Sequence, residues 1–140
     1  MSVNLIEDMA HMHEHYGVHG AIEKLDSEKL KMFLKFRIDF LQEELDEMIK
    51  AYNEGGENAA DDTVDALIDL VVVALGTLDA FRVNSYEAWN RVYHANMAKE
   101  VGIKASRPNP LGLPDLIKPE GWTAPTHADN VGLLERVFEK

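Results

Sequence analysis

Between Phe40 and Ala80 two acidic groups sit on consecutive helix-period segments, separated by the break Asn53-Glu54-Gly55-Gly56-Glu57. A glycine pair supplies the open backbone that a helix C-terminus and a tight helix–helix turn require. The two segments are therefore expected to fold back as an antiparallel pair. The first carries Glu43-Glu44-Leu45-Asp46-Glu47. Residues three and four apart share a helix face, which aligns Glu43, Glu44 and Glu47 and turns Asp46 away. The second carries Asp62, Asp65 and Asp69, again at spacings of three and four. Carboxylates would then face carboxylates. Such groups raise one another's pKa unless a cation lies between them, and hard divalent ions with oxygen ligands, Mg²⁺ first, fill that role.

The second segment sharpens the argument. Ala66-Leu67-Ile68-Asp69-Leu70-Val71-Val72-Val73-Ala74-Leu75 is apolar on every side except at Asp69. A helix apolar all round is expected to be buried, and a buried carboxylate needs a proton, a partner or a metal. An isolated Asp would read as a cap or a core ion pair. Beside Asp65 and the glutamates, the metal reading is favoured.

The chain is 140 residues long, the size of one domain with a real core. Its 14 basic and 25 acidic residues give a net charge of −11, which argues against a nucleic-acid polymer as partner. A phosphorylated small molecule remains open, because bound cations invert the local sign. With no cysteine, disulfides and thiolate zinc sites are excluded, and a reducing cytoplasm fits. No charged-then-apolar leader opens the chain. The longest apolar run, Ala66 to Leu78, is broken by Asp69 and falls short of the roughly 20 residues that cross a bilayer. A soluble cytoplasmic protein with no membrane contact is the expectation.

In chain order, Leu5, Ile6, Met9, Met12 and Tyr16 place a first helix at about 3–15, ended by Gly17 and Gly20. Four histidines fall here, His11, His13, His15 and His19; His11 and His15, one turn apart, could ligate a transition metal, but a solvated helix end is the preferred reading. Asp26 or Ser27 caps a long second helix running to about Asn53. Leu30, Phe33 and Leu34 read as core. Lys31, Lys35 and Arg37 precede the glutamates by one to three turns, so one of them could reach a phosphate, an ion-paired role weighing equally for each. A third helix spans about 58–81, with Gly76 permitting a close helix contact. Asn84-Ser85 opens a fourth, with Asn90, Asn96 and Lys99 as candidates for a polar pocket and Gly102 as its stop. Pro108, Pro110, Pro114, Pro119 and Pro125 then exclude persistent helix or central strand. This arm, about 103–125, is too apolar to be a disordered linker, and Trp122 reads as its packing anchor. A short terminal helix is expected at about 127–139.

The Glu-Glu-x-x-Glu of Glu43, Glu44 and Glu47, followed by the acidic residues leading into Asp69-Leu70-Val71-Val72-Val73-Ala74-Leu75-Gly76, resembles the all-α nucleoside triphosphate pyrophosphatase superfamily. That superfamily includes MazG, the phosphoribosyl-ATP pyrophosphohydrolases and the dimeric dUTPases. Asn96-Met97-Ala98-Lys99 is similar to the Asn-Met-x-Lys segment of MazG-like proteins, which are often phage-encoded. The resemblance covers roughly Leu30 to Lys99. One departure stands out: the second motif is usually Glu-x-x-Asp, whereas Asp65 lies four residues before Asp69. Asp65 still shares that helix face, and Asp62, which pairs with Asp65 at the three-residue spacing, is held in reserve.

The resemblance implies an all-α, four-helix MazG-like bundle, with a helical core at about 26–102, forming a homodimer or homotetramer. It implies hydrolysis of a nucleoside triphosphate, with purine deoxynucleoside triphosphates among the candidates, to the monophosphate and pyrophosphate. Mg²⁺, replaceable by Mn²⁺, would be held by Glu43, Glu44, Glu47, Asp65 and Asp69, with Glu43 or Glu44 as the base. Asn96, Lys99 and, less firmly, Lys35 would contact substrate. Phosphoribosyl-ATP is an alternative substrate. From another class, a non-catalytic helical interaction module with structural metal is the rival; a di-iron bundle ranks low, since it wants Glu-x-x-His pairs that the acidic helices lack.

Overall fold

The computed structural model describes residues 3–107 and 109–139; Pro108, one of the prolines read into the arm, lies outside them. Among the described residues, six helices and one two-stranded ladder follow in order: α1 (Leu5–His15), α2 (Val18–Glu23), α3 (Ser27–Glu54), α4 (Ala59–Ala80), α5 (Ser85–Met97), β1 (Glu100–Val101), β2 (Leu116–Ile117) and α6 (Leu134–Val137). The class is all-α, as expected. The chain divides into two compact units, Met1–Ser85 with Val131–Lys140, and Tyr86–Asn130.

The first unit is built on the antiparallel α3–α4 hairpin. Asp26 caps α3, its side chain accepting from the Lys29 N–H at 2.9 Å. At the other end Gly55 (φ +63°) and Gly56 (φ +100°) take backbone that a Cβ would strain, and α4 starts four residues later behind Asn58. Midway, Gly76 lets the helices close in: a Cβ there would sit 2.6 Å from Arg37 Nη2 and 3.0 Å from Met9 Cε. The role expected of Gly76 is the one it has.

The apolar core lies at the end of the hairpin away from the two glycines. Ile22, Leu30, Ala80, Phe81 and Val137 are buried together, and Phe33, Leu34, Leu133 and Leu134 pack against them. The Phe33 and Phe81 ring centroids are 5.6 Å apart. The chain returns to this core through Gly132 (φ +53°), where a Cβ would stand 2.1 Å from the Phe81 carbonyl oxygen.

Three boundaries depart from the sequence reading. Helix α2 was not expected; its six residues give too few turns to show a period, and Gly20 lies inside it instead of stopping α1. The terminal helix shrinks from the anticipated 127–139 to Leu134–Val137, because Gly132 holds a left-handed φ that no right-handed helix passes through. Helix α5 ends at Met97, five residues before Gly102.

In the second unit β1 and β2 pair antiparallel, Glu100 opposite Ile117 and Val101 opposite Leu116. Gly102 passes so close that a Cβ would meet Ile117 Cδ1 at 2.7 Å. Arg91 on α5 grips Asp129 with two bonds, 2.6 and 3.0 Å, and donates to the Thr126 carbonyl at 3.0 Å. That guanidinium holds Asp129 below the usual carboxylate range. Trp122 anchors the arm as anticipated: its Nε1 donates to the Ala95 carbonyl at 2.7 Å, with Lys99 Nζ and Lys118 Nζ at 5.3 and 5.2 Å from the ring centroid. Among the described residues no helix is long and apolar enough to cross a membrane.

Candidate active site

The acidic groups converge across the α3–α4 hairpin, and the buried carboxyl among them is Glu44. It is 7% exposed, and its Oε2 has no hydrogen-bond partner among the described residues. Burial, first, and then the charges of Glu47 and Asp69, a hydrogen bond with Glu47 and the charge of Glu43 push the Glu44 carboxyl up to about 7. Asp65 is raised as well, by Asp69 foremost, then by partial desolvation and the charges of Asp61, Glu47 and Asp62. Glu43, Glu44, Glu47, Asp65 and Asp69 thus act on one another as a single electrostatic cluster. The local cause is helical spacing: Glu43 and Glu47 flank Glu44 on α3, and Asp65 stands one turn from Asp69 on α4.

A cavity of about 340 Å³ opens beside the cluster, lined by Glu47, Lys50, Ala51, Glu54, Gly55, Asp62 and Asp65. Lys50 and Glu54 were missed in the sequence, although they continue the Glu47 face at three and seven residues; Glu54 had been assigned to the break. Asp62, the reserve ligand, lines this cavity beside Asp65. A second, more open hollow of about 390 Å³ is lined by Asp39, Gln42, Glu43, Asp46, Glu47 and Lys50. Asp46 accepts from Gln42 Nε2 at 2.9 Å and is exposed, consistent with its place off the Glu44 face.

Asp69 is not the fully buried carboxylate that its apolar surroundings in the sequence suggest. Asp69 is half-buried, and α4 is not covered all round: Val64 (62% exposed), Leu67, Ile68 (57%) and Val71 look outward. Within one chain α4 is packed by α3, α1 and, at its end, the short α2, and these neighbours cover only part of a helix that is apolar on all sides.

The remaining candidates scatter. Lys35 is exposed and ion-paired with Asp39 one turn on. Arg37 is drawn into the hairpin, donating from Nε to Thr77 Oγ1 at 2.9 Å and from Nη2 to the Val73 carbonyl at 3.0 Å. Asn96 is exposed and Lys99 half-buried on the second unit, where the Lys99 N–H donates to the Asn96 carbonyl at 3.1 Å. His11 and His15 are exposed; the histidines brought together are His13 and His19, beside Asp79.

An all-carboxylate donor set with a buried, unpartnered oxygen fits a hard divalent cation, since oxygen ligands suit Mg²⁺ and Mn²⁺ and such a cation satisfies the orphaned lone pairs. Held in one cluster without it, the carboxylates push one another's pKa upward, as at Glu44 and Asp65.

No curated protein and no solved structure matches the chain. The family model for phosphoribosyl-ATP pyrophosphohydrolase matches residues 22–96, more than half of the chain and all of the acidic cluster. With that match spanning the α3–α4 hairpin and nearly all of α5, the chain belongs to the phosphoribosyl-ATP pyrophosphohydrolase family, a group of pyrophosphohydrolases in the MazG-like, all-α nucleoside triphosphate pyrophosphatase superfamily.

Proposed function

We propose that the protein is a divalent-metal-dependent nucleoside triphosphate pyrophosphohydrolase, cleaving a ribo- or deoxynucleoside triphosphate to the monophosphate and pyrophosphate. The observation that carries this reading is the buried, unpartnered Glu44 Oε2 within the cluster of Glu43, Glu47, Asp65 and Asp69, next to an open cavity.

These five carboxylates would hold Mg²⁺, or Mn²⁺ in its place, with Asp62 in reserve. When bound, the metal supplies charge neutralisation to the phosphates and lowers the pKa of a water. The chain's own residues do the rest. Glu44, seated inside the cluster, is the first candidate to take a proton from an attacking water; Glu43 is the second candidate for that role. Lys50, the cation among the described residues lining the cavity, places a point charge for a phosphate oxygen. Phosphoryl transfer asks the protein mainly for positioning and electrostatics, and rigid helix faces supply both. Asn96 and Lys99 are proposed as substrate contacts on the family resemblance alone, and Lys35 is ranked below them because Asp39 occupies it.

Phosphoribosyl-ATP is the second reading, favoured by the family that matches. Both substrates expose an α–β phosphoanhydride to the same chemistry. A homodimer or homotetramer is proposed from the apolar side chains that one chain leaves open: Met32, Phe36 and Ile38 on α3, and Val64, Ile68 and Val71 on α4.

The test is pyrophosphate release with Mg²⁺ across all ribo- and deoxynucleoside triphosphates and phosphoribosyl-ATP, with an EDTA control. EDTA-sensitive release from a nucleoside triphosphate supports the first reading; release from phosphoribosyl-ATP alone selects the second. No release from any of them, together with unfolding on metal removal, replaces both with a structural-metal helical module.

A further inference from the structure

We propose that His13, His19 and Asp79 form a second cation site, built for a borderline transition metal of the Zn²⁺ class and separate from the acidic cluster. Three elements of the first unit supply it: His13 from the last turn of α1, His19 from α2 and Asp79 from the last turn of α4. Gly17, at φ +71°, turns the chain between α1 and α2, so that a side chain six residues after His13 comes back beside it. The two imidazoles meet edge to face, their centroids 5.9 Å apart.

The donor atoms point at one place. His13 Nδ1 lies 2.7 Å and His19 Nε2 2.6 Å from the same oxygen, Asp79 Oδ2. The three ligand atoms all fall within 4.8 Å of one another. Ligands of a tetrahedral ion bound at about 2.0–2.1 Å sit about 3.3 Å apart, so small side-chain rotations open the hydrogen-bonded triad to admit one. His13 is 6% exposed, and Asp79 and His19 are half-buried. Two imidazole nitrogens and one carboxylate oxygen suit Zn²⁺, Co²⁺ or Ni²⁺, whereas Mg²⁺ wants oxygen alone.

Proton balance permits the exchange. With the site closed, Asp79 Oδ2 accepts from the Nδ1–H of His13 and the Nε2–H of His19. With a cation bound, each neutral ring carries its proton on the opposite nitrogen, and no net proton is lost. Arg37 is the charge to reckon with. Its Nη2 and His13 Cε1 both crowd Gly76, but Arg37 spends its Nε and Nη2 protons on Thr77 Oγ1 and the Val73 carbonyl. Ten residues separate Asp79 from Asp69 on α4, about 15 Å along the axis, so the two sites load independently. A cation here would pin α1 and α2 to the end of α4.

Full-length protein stripped with EDTA and titrated with Zn²⁺ alone tests this, by calorimetry and by the visible absorption of Co²⁺ in its place. Asp69→Asn is measured alongside to silence the acidic cluster. The expected result is one equivalent retained in Asp69→Asn, with a tetrahedral Co²⁺ spectrum and a melting temperature raised by about 5 °C at saturating Zn²⁺. His19→Ala, at a half-buried position that leaves the core untouched, should lose that equivalent at least 100-fold in affinity, as should Asp79→Asn, both with parental circular dichroism. Binding that survives His19→Ala, or that disappears in Asp69→Asn, overturns the proposal, as does no binding at all. If Asp79→Asn fails to fold, His19→Ala decides alone.

Discussion

Arg37 on α3 donates through Nε to Thr77 Oγ1 on α4 at 2.9 Å, and Thr77 Oγ1 in turn donates to the Val73 carbonyl at 2.7 Å, which also accepts from Arg37 Nη2. This knot fixes how the two helices are rotated against each other. Glu44 lies two turns beyond Arg37, and Asp69 one turn before Val73. A bond made in one place therefore sets the facing of the carboxylates in another, while burial holds the Arg37 pKa below its usual value without displacing its proton.

Arg37→Met keeps much of the side-chain volume and removes the donors. It should destabilise the protein by about 2 kcal/mol, because the Val73 carbonyl and Thr77 hydroxyl lose a partner in a half-buried place. Urea midpoints at fixed ionic strength check this, and an unchanged midpoint would show that the knot contributes nothing.

Asp69→Asn should lower pyrophosphate release on the order of 100-fold or more with helical content intact, and Glu43→Gln and Glu44→Gln should slow it comparably. Asp46→Asn, whose carboxylate engages Gln42, should stay near the parental rate. Initial rates beside far-ultraviolet circular dichroism separate the two classes; an equal loss at Asp46 would place the active face elsewhere on α3.

Glu44 also makes stability depend on pH. Its folded-state value of about 7 stands above the ordinary glutamate value of 4.5, so between these limits the folded state of the metal-free protein binds more protons than the unfolded one. Stability should therefore be full below about 4.5 and fall as the pH rises toward and through about 7, with raised Asp65 acting in the same direction. Glu44→Gln should flatten the dependence. Mg²⁺ must displace that proton, so its affinity should strengthen as the pH rises through this range. Denaturation midpoints of EDTA-treated protein across the window, and Mg²⁺ titrations at its two ends, read both effects.

Gly132→Ala should cost about 2 kcal/mol or more, since a Cβ would lie 2.1 Å from the Phe81 carbonyl oxygen at a φ of +53°. Thermal melting of the variant measures it. A loss under half a degree would mean that the return of the chain to the core is loosely held.

Phe36→Glu and Val64→Glu, each on an outward apolar face, should shift the assembly toward the monomer without unfolding it. Sedimentation velocity at matched concentrations distinguishes this from a chain that is monomeric throughout.

Local spacing by itself determined the helical class, the Gly55-Gly56 hairpin, a cap at Asp26 or Ser27 and the shared faces of Glu43, Glu44, Glu47, Asp65 and Asp69. Each depends on residues within a turn or two, where backbone geometry leaves few alternatives. Tertiary structure decided what depends on contacts between distant segments. It made Glu44, not Asp69, the buried carboxyl, because α3, α1 and α2 cover only part of α4. It brought Lys50 and Glu54 to the cavity, Glu54 by carrying α3 one residue past the expected helix end at Asn53. It put Arg37 between helices instead of beside a phosphate. Above all it chose His13 and His19 over His11 and His15, since Asp79, 60 residues beyond His19, had to arrive before any histidine had a partner. Spacing reports which side chains share a face, and only the packing of one face on another reports which of them meet.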